Sequence, residues 1–182
     1  MHSVRLRGSG SMTGFILSGV VATWRVETQR SGFRETGGML LGYWARSGYP
    51  VITHATGPGP NAKRGFLSFA PDHEYCQRSL ERLFEASGGE LTFVGDWHTH
   101  VTGGLRPSST DTDTALRIAG DQDYQCKRPL IALYSATNRL LGFRRQESFR
   151  IWCVGAEEQL VQPLESKVID GVPGYDLPSL RL

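Results

Sequence analysis

Apolar and polar positions along the chain change period several times, and each change marks an element. Val20, Val21, Trp24 and Thr28 recur at helical spacing, so a first helix is expected from Ser18, acting as its cap, to about Arg30, with Ser31-Gly32 ending it. Strand-type runs follow at 38–44 and 49–55 around an Arg46-Ser47-Gly48 turn, and 65–70 reads as a third short strand. Between them Gly57-Pro58-Gly59-Pro60-Asn61 is a loop by composition. The clearest helix is expected over 71–87: Pro71 suits its first turn, Asp72 and Glu74 complement the helix dipole, and Cys76, Leu80, Leu83 and Phe84 fall on one face. Gly88-Gly89 stops it. A strand over 91–97 then runs straight into His98, and a short helix is expected from Thr110 to about Ala119. A hairpin of 129–135 and 139–145 turns at Thr137-Asn138, and 149–154 adds a last strand.

These elements make one α/β domain over 12–155, with no repeat and no second core. Residues 1–11 read as a vector remnant or fused segment, since Gly8-Ser9-Gly10-Ser11 has the composition of a flexible linker before Met12. Residues 156–182, polar and proline-containing, are expected to form a tail. At 182 residues with 39% hydrophobic and 21% charged positions, the composition is that of a folded globular protein. A net charge of +2 gives no electrostatic footprint for nucleic acid. No apolar run approaches the length of a membrane span. Cys76, Cys126 and Cys153 are an odd number without a Cys-x-x-Cys, and no apolar signal segment precedes them. Together these point to the reducing cytoplasm.

The chemistry concentrates in Asp96-Trp97-His98-Thr99-His100. Alternate strand residues share a face, so both imidazoles can address one point. Asp111 stands eleven residues beyond His100, at the start of the expected short helix. Two imidazoles and a carboxylate are a common zinc set that leaves a fourth position for water. Separately, Ser108-x-x-Asp111 has the form of a helix capping box.

Taken together, His98-x-His100, seven residues, Ser108, two residues, Asp111 resembles the signature of the JAMM (MPN-plus, JAB-domain) metalloprotease family. Glu35-Thr36-Gly37-Gly38-Met39-Leu40-Leu41-Gly42 is similar to the upstream segment that carries that family's glutamate, and paired glycines there allow close backbone approach. The resemblance covers about residues 14–153. Its closest form is the compact prokaryotic branch, on Pro58-Gly59-Pro60-Asn61-Ala62 and Gly95 to His100. One departure is Val101, where many relatives have proline; altered loop geometry is the expected consequence.

The resemblance implies a single JAMM/MPN domain, a mixed central β-sheet flanked by helices in the cytidine deaminase-like manner. It implies one Zn²⁺ per chain held by His98, His100 and Asp111, with a water in the remaining position. Glu35 becomes the proton shuttle and Ser108 a donor to the tetrahedral oxyanion; Asp96 is either a support for a ligand or a plain strand-end aspartate. The substrate tail would lie extended near 57–69 and 102–107, with Phe66, Gly103, Gly104 and Leu105 as contact residues. The implied activity is that of an isopeptidase cutting after the terminal glycine of a bacterial ubiquitin-like modifier. Its partners are that modifier, its conjugates and the activating and conjugating enzymes of an anti-phage operon, with neither nucleic acid nor membrane. Val4-Arg5-Leu6-Arg7-Gly8 resembles the tail of ubiquitin itself, and a fused modifier tail is one reading of it. Two other members of the class offer alternatives: a peptidase trimming a sulfur-carrier protein, and a non-catalytic MPN scaffold. The His-Asn-His-Pro-Ser-Gly of RadC-like proteins and the His-x-Glu with Pro-Cys-x-x-Cys of zinc deaminases are absent.

Overall fold

The computed structural model describes residues 12–65, 69–100, 104–137, 146–155 and 160–172. Chain order is β1 (Met12–Leu17), α1 (Ser18–Ser31), β2 (Gly37–Trp44), β3 (Pro50–Ala55), β4 (Lys63–Arg64), β5 (Phe69–Ala70), α2 (His73–Ala86), β6 (Thr92–Thr99), α3 (Ser109–Gly120), β7 (Leu130–Thr137), β8 (Gln146–Gly155) and β9 (Leu160–Ile169). Seven strands close in the order β1-β3-β2-β6-β7-β8-β9, while β4 and β5 pair separately. The pairings are mixed: β1 runs parallel to β3 and β9, β6 runs parallel to β7, and the others are antiparallel. The domain is therefore a single mixed α/β unit.

Local chemistry accounts for most boundaries. Gly32, at φ 65°, ends α1 in the left-handed region that glycine tolerates. Ser18 is the first residue of α1 and not its cap; Leu17 holds the cap position without a side-chain bond, because β1 runs straight into the helix. Asp72 caps α2 by accepting from the Tyr75 N–H, so that helix begins two residues later than Pro71 would suggest. Burial of Cys76, Ser79 and Leu83 fixes its inner face, while Phe84, one step round, is 46% exposed.

Three expectations are corrected. The single strand over 65–70 is instead a two-stranded hairpin, Lys63–Arg64 against Phe69–Ala70. The antiparallel partner of β7 is β8, with Leu130 to Thr137 pairing one-to-one with Cys153 to Gln146, and the expected partner 139–145 lies outside the described residues. Residues 160–169 belong to no tail. They form β9, pairing with β8 at one end and along β1 for six residues at the other. Val161 packs with Trp152 and Val154, whereas Leu164 enters the cluster around Ile16, Trp24 and Trp97.

That main cluster is built on Trp24, whose indole stands 6.0 Å from the rings of both Trp97 and Tyr134. A second cluster of Met39, Leu41, Cys76, Leu83, Phe93 and Ile118 joins α2 and α3 to β2 and β6. Burying a side chain such as Leu83 stabilises the fold by about 1.5–3 kcal/mol. No helix among the described residues is long and apolar enough to cross a membrane.

Candidate metal centre

β6 carries the histidines. His98 lies within the strand and His100 one residue past its end. Their alternation directs both rings to one side, as strand geometry requires, and the two Nε2 atoms stand 3.0 Å apart. Asp111 arrives from α3. Its Oδ1 is 3.2 Å from His98 Nε2 and its Oδ2 3.4 Å from His100 Nε2. Among the described residues, these three form the one group of histidine, cysteine and carboxylate side chains whose ligand atoms meet in this way.

The spacing fits a metal. In a tetrahedron with bonds of about 2.0–2.1 Å, ligand atoms stand about 3.3 Å apart. The two ring nitrogens stand 3.0 Å apart and each carboxylate oxygen faces one ring, Oδ1 at 3.2 Å from His98 and Oδ2 at 3.4 Å from His100, separations of the size such a site requires. Side-chain exposures of 15%, 17% and 18% leave the group accessible from the cleft that all three residues line.

Ser108 is the cap of α3, and the capping box is reciprocal. The Ser108 hydroxyl accepts from the Asp111 N–H, and the Asp111 carboxylate accepts from the Ser108 N–H at 2.7 Å. The hydroxyl also donates to the Asp111 carboxylate, its Oγ 2.7 Å from Oδ2. Burial alone would raise the Asp111 carboxyl, but hydrogen bonds from His100 and His98, and then from the Ser108 backbone, overturn it and hold the group well below the usual carboxylate range. His100 is held above its ordinary value by its bond to Asp111, against the opposing effect of burial; charge on Glu35 and the Gly104 backbone act in the same direction.

Glu35 reaches the centre through backbone pairing. Gly37 pairs with His98, and the register continues outward: the Thr99 N–H donates to the Thr36 carbonyl at 2.8 Å and the Thr36 N–H to the Thr99 hydroxyl at 3.1 Å. One more step sets Glu35 beside His100. Its other flank is tied to the hairpin by a bond from the Glu35 N–H to the Gly65 carbonyl. Glu35 as a whole is 8% exposed and lines the same cleft as His98, His100, Ser108 and Asp111.

That cleft encloses about 630 Å³ and extends inward over β2 and β6 between α2 and α3. A bulge at Leu40/Leu41 leaves Val94 unopposed and turns Phe93 to the face of Asp96 and His98. Burial pushes the Asp96 carboxyl up to about 6, opposed by His98.

Of the expected contact residues, Phe66 and Gly103 lie outside the described residues, as do Val101 and the 4–8 segment. Gly104 is exposed, and its backbone bonds His100. Leu105 turns away from the cleft: its side chain packs with Leu116 against the Trp152 cluster, and its carbonyl accepts from the Trp152 indole at 2.9 Å. Sequence reasoning did not single out Thr99 or Trp152, which fix the segments bearing Glu35 and Ser108. A threonine between two strand histidines carried a faint signal; Trp152 carried none.

Comparison with known proteins agrees with this geometry. Residues 18–154 match the family model described as prokaryotic homologs of the JAB domain. A Sinorhizobium fredii protein named "Probable metalloprotease y4qB" is 37% identical over 100 residues, 54% of this chain and 61% of that protein, so the match leaves more than a third of that relative uncovered. An Enterobacter hormaechei protein named "CD-NTase/cGAS isopeptidase" is 29% identical over 136 residues, 73% of each chain. The solution structure of DSY2949 from Desulfitobacterium hafniense shares the fold at a TM-score of 0.64 and 12% identity, over 88% of this chain and 96% of that one. With the family match running from α1 to β8, through every element that supplies the candidate metal centre, the chain belongs to the prokaryotic homologs of the JAB domain.

Proposed function

We propose that the chain is a zinc-dependent isopeptidase that hydrolyses the amide after the C-terminal glycine of a bacterial ubiquitin-like modifier, in the cytoplasm and within an anti-phage conjugation system. The observation that carries this reading is the triangle of His98, His100 and Asp111, open to a cleft that Glu35 also lines. The relatives named isopeptidase support the choice of an isopeptide over other amides, and a CD-NTase conjugate is the first candidate substrate.

The nitrogens and carboxylate of the triangle are a donor set suited to zinc. The chemistry zinc supplies when bound is Lewis acidity, which polarises a carbonyl and acidifies water. Glu35 accepts a proton from the attacking water as its oxygen bonds to the scissile carbon. It returns that proton to the lysine nitrogen as the carbon–nitrogen bond breaks. Glu35's burial keeps competing water from its carboxylate. Ser108 donates to the carbonyl oxygen as charge grows there, turning its hydroxyl proton from Asp111 Oδ2 to do so. A carbonyl presented from the Gly104 side would arrive beside both groups.

The test is incubation of the zinc-loaded chain with modifier–lysine conjugates and with linear modifier fusions, using Glu35→Ala as control. Cleavage of conjugates by the wild type and not by the variant is expected. Cleavage restricted to linear precursors would favour carrier-protein processing, and equal cleavage by both proteins would remove Glu35 from the reaction.

A further inference from the structure

The cleft continues inward past the metal centre. Asp96 stands in this inner arm, two residues before His98 and so on the same face of β6, about 6–7 Å deeper. Met39 lies directly opposite it on β2, and Phe93, Ile118 and Leu130 line the same space. The Asp96 carboxylate has no hydrogen-bond or ion-pair partner among the described residues. The groups that sense its charge are His98 on the outer side and the thiols of Cys76 and Cys126 on the inner side. Neither thiol offers a counter-charge. Arg117 lines the cleft on α3 without pairing to Asp96.

Asp96 is half-buried on the wall of this cleft, and a carboxylate partly withdrawn from water with no counter-charge beside it is costly. An apolar slot with such a group inside matches one chemistry well: an alkyl stem that packs on hydrocarbon and ends in a cation. We propose that the inner arm is a pocket for a basic side chain, lysine or arginine, adjacent to the scissile amide, with Asp96 as its counter-ion. The proposal rests on the hydrolase reading only in calling that side chain part of a substrate. The simpler role for Asp96, a prop that orients His98, predicts something different: its loss should weaken metal binding.

The experiment titrates n-pentylammonium, n-butylguanidinium and the neutral 1-pentanol onto the zinc-loaded full chain. The readout is the Met39 methyl resonance, one of three methionines in the sequence. Both cations are expected to bind at least about 10-fold more tightly than the alcohol, the worth of a charge-assisted bond. Asp96→Asn should erase that difference with zinc content unchanged. Equal binding of the alcohol, no saturable shift from either cation, cation binding undiminished in Asp96→Asn, or zinc loss in that variant would each overturn the proposal. The comparison of cation with alcohol on the wild-type chain depends on no variant folding. Two substrate arms then identify the source. Norleucine in place of the basic residue nearest the terminal glycine raises KM if the modifier supplies the cation. The same change beside the acceptor lysine raises KM if the target supplies it. Cation binding without any cleavage would sink the hydrolase reading and leave the pocket standing.

Discussion

Gly37 lies directly opposite His98 across the antiparallel pair of β2 and β6. Opposed residues on such a pair project to the same face, and a Cβ on Gly37 would come within 2.9 Å of His98 Cβ and 2.8 Å of the Phe69 ring while pressing on the Trp97 carbonyl oxygen. The missing side chain is what lets β2 approach closely enough to set Glu35 beside His100. Gly37→Ala should therefore cost about 1–3 kcal/mol, as overpacking does, and should lower zinc affinity more than the same loss introduced elsewhere in β2. Thermal melts paired with zinc titration check this; a variant with wild-type zinc affinity would show that His98 is free to move.

Glu35 touches no ligand atom through a hydrogen bond, so removing its charge should leave the metal in place. Glu35→Gln is expected to retain stoichiometric zinc and to cleave about 10²–10⁴-fold more slowly. Metal analysis and single-turnover cleavage on one preparation test both halves together.

Ser108 has two possible duties, and two substitutions separate them. Ser108→Ala removes the cap and should cost about 0.5–2 kcal/mol, whereas Ser108→Gly costs only a few tenths. Both remove the hydroxyl. If that hydroxyl donates to the oxyanion, Ser108→Gly should slow cleavage by about 10²–10³-fold with little change in Tm. Activity that merely follows Tm across the two variants would leave Ser108 as a cap alone.

The pairing of His100 with Asp111 gives a sign to the pH dependence. His100 is held above its ordinary value by that bond, so in the metal-free chain its contribution to stability is complete below about pH 6.5 and is lost as pH rises through the raised folded value. Zinc needs the neutral ring, so binding must expel that proton. Calorimetry in buffers of differing ionisation enthalpy should show more proton release at pH 6.5 than at pH 8.5. Equal release at both would mean His100 is already neutral.

The grouping of His98, His100 and Asp111 was legible because its signals are local. The two-residue period of a strand settles where His98 and His100 point, and Ser108-x-x-Asp111 announces both a helix start and a carboxylate held at it. Gly37 and Gly38 were legible as a close approach. β9 was not, because it changes neighbours along its length: Leu160–Pro163 pair with β8 and Leu164–Ile169 with β1. Val161 and Leu164, three apart and so on opposite faces, pack in different clusters, and apolar residues therefore do not recur on one face. Pro163 deepened the disguise, since proline argues against a strand. Asp96's place on the cleft face follows from strand period; its want of a partner follows only from what surrounds it.

X-ray absorption on the zinc-loaded chain tests the centre most directly. The account predicts one zinc per chain with two imidazole nitrogens and one carboxylate oxygen at about 2.0–2.1 Å, and loss of one nitrogen shell or of the metal itself in His100→Ala. A zinc ion ligated by sulfur from Cys76 or Cys126, or a chain that holds no stoichiometric metal, would contradict it.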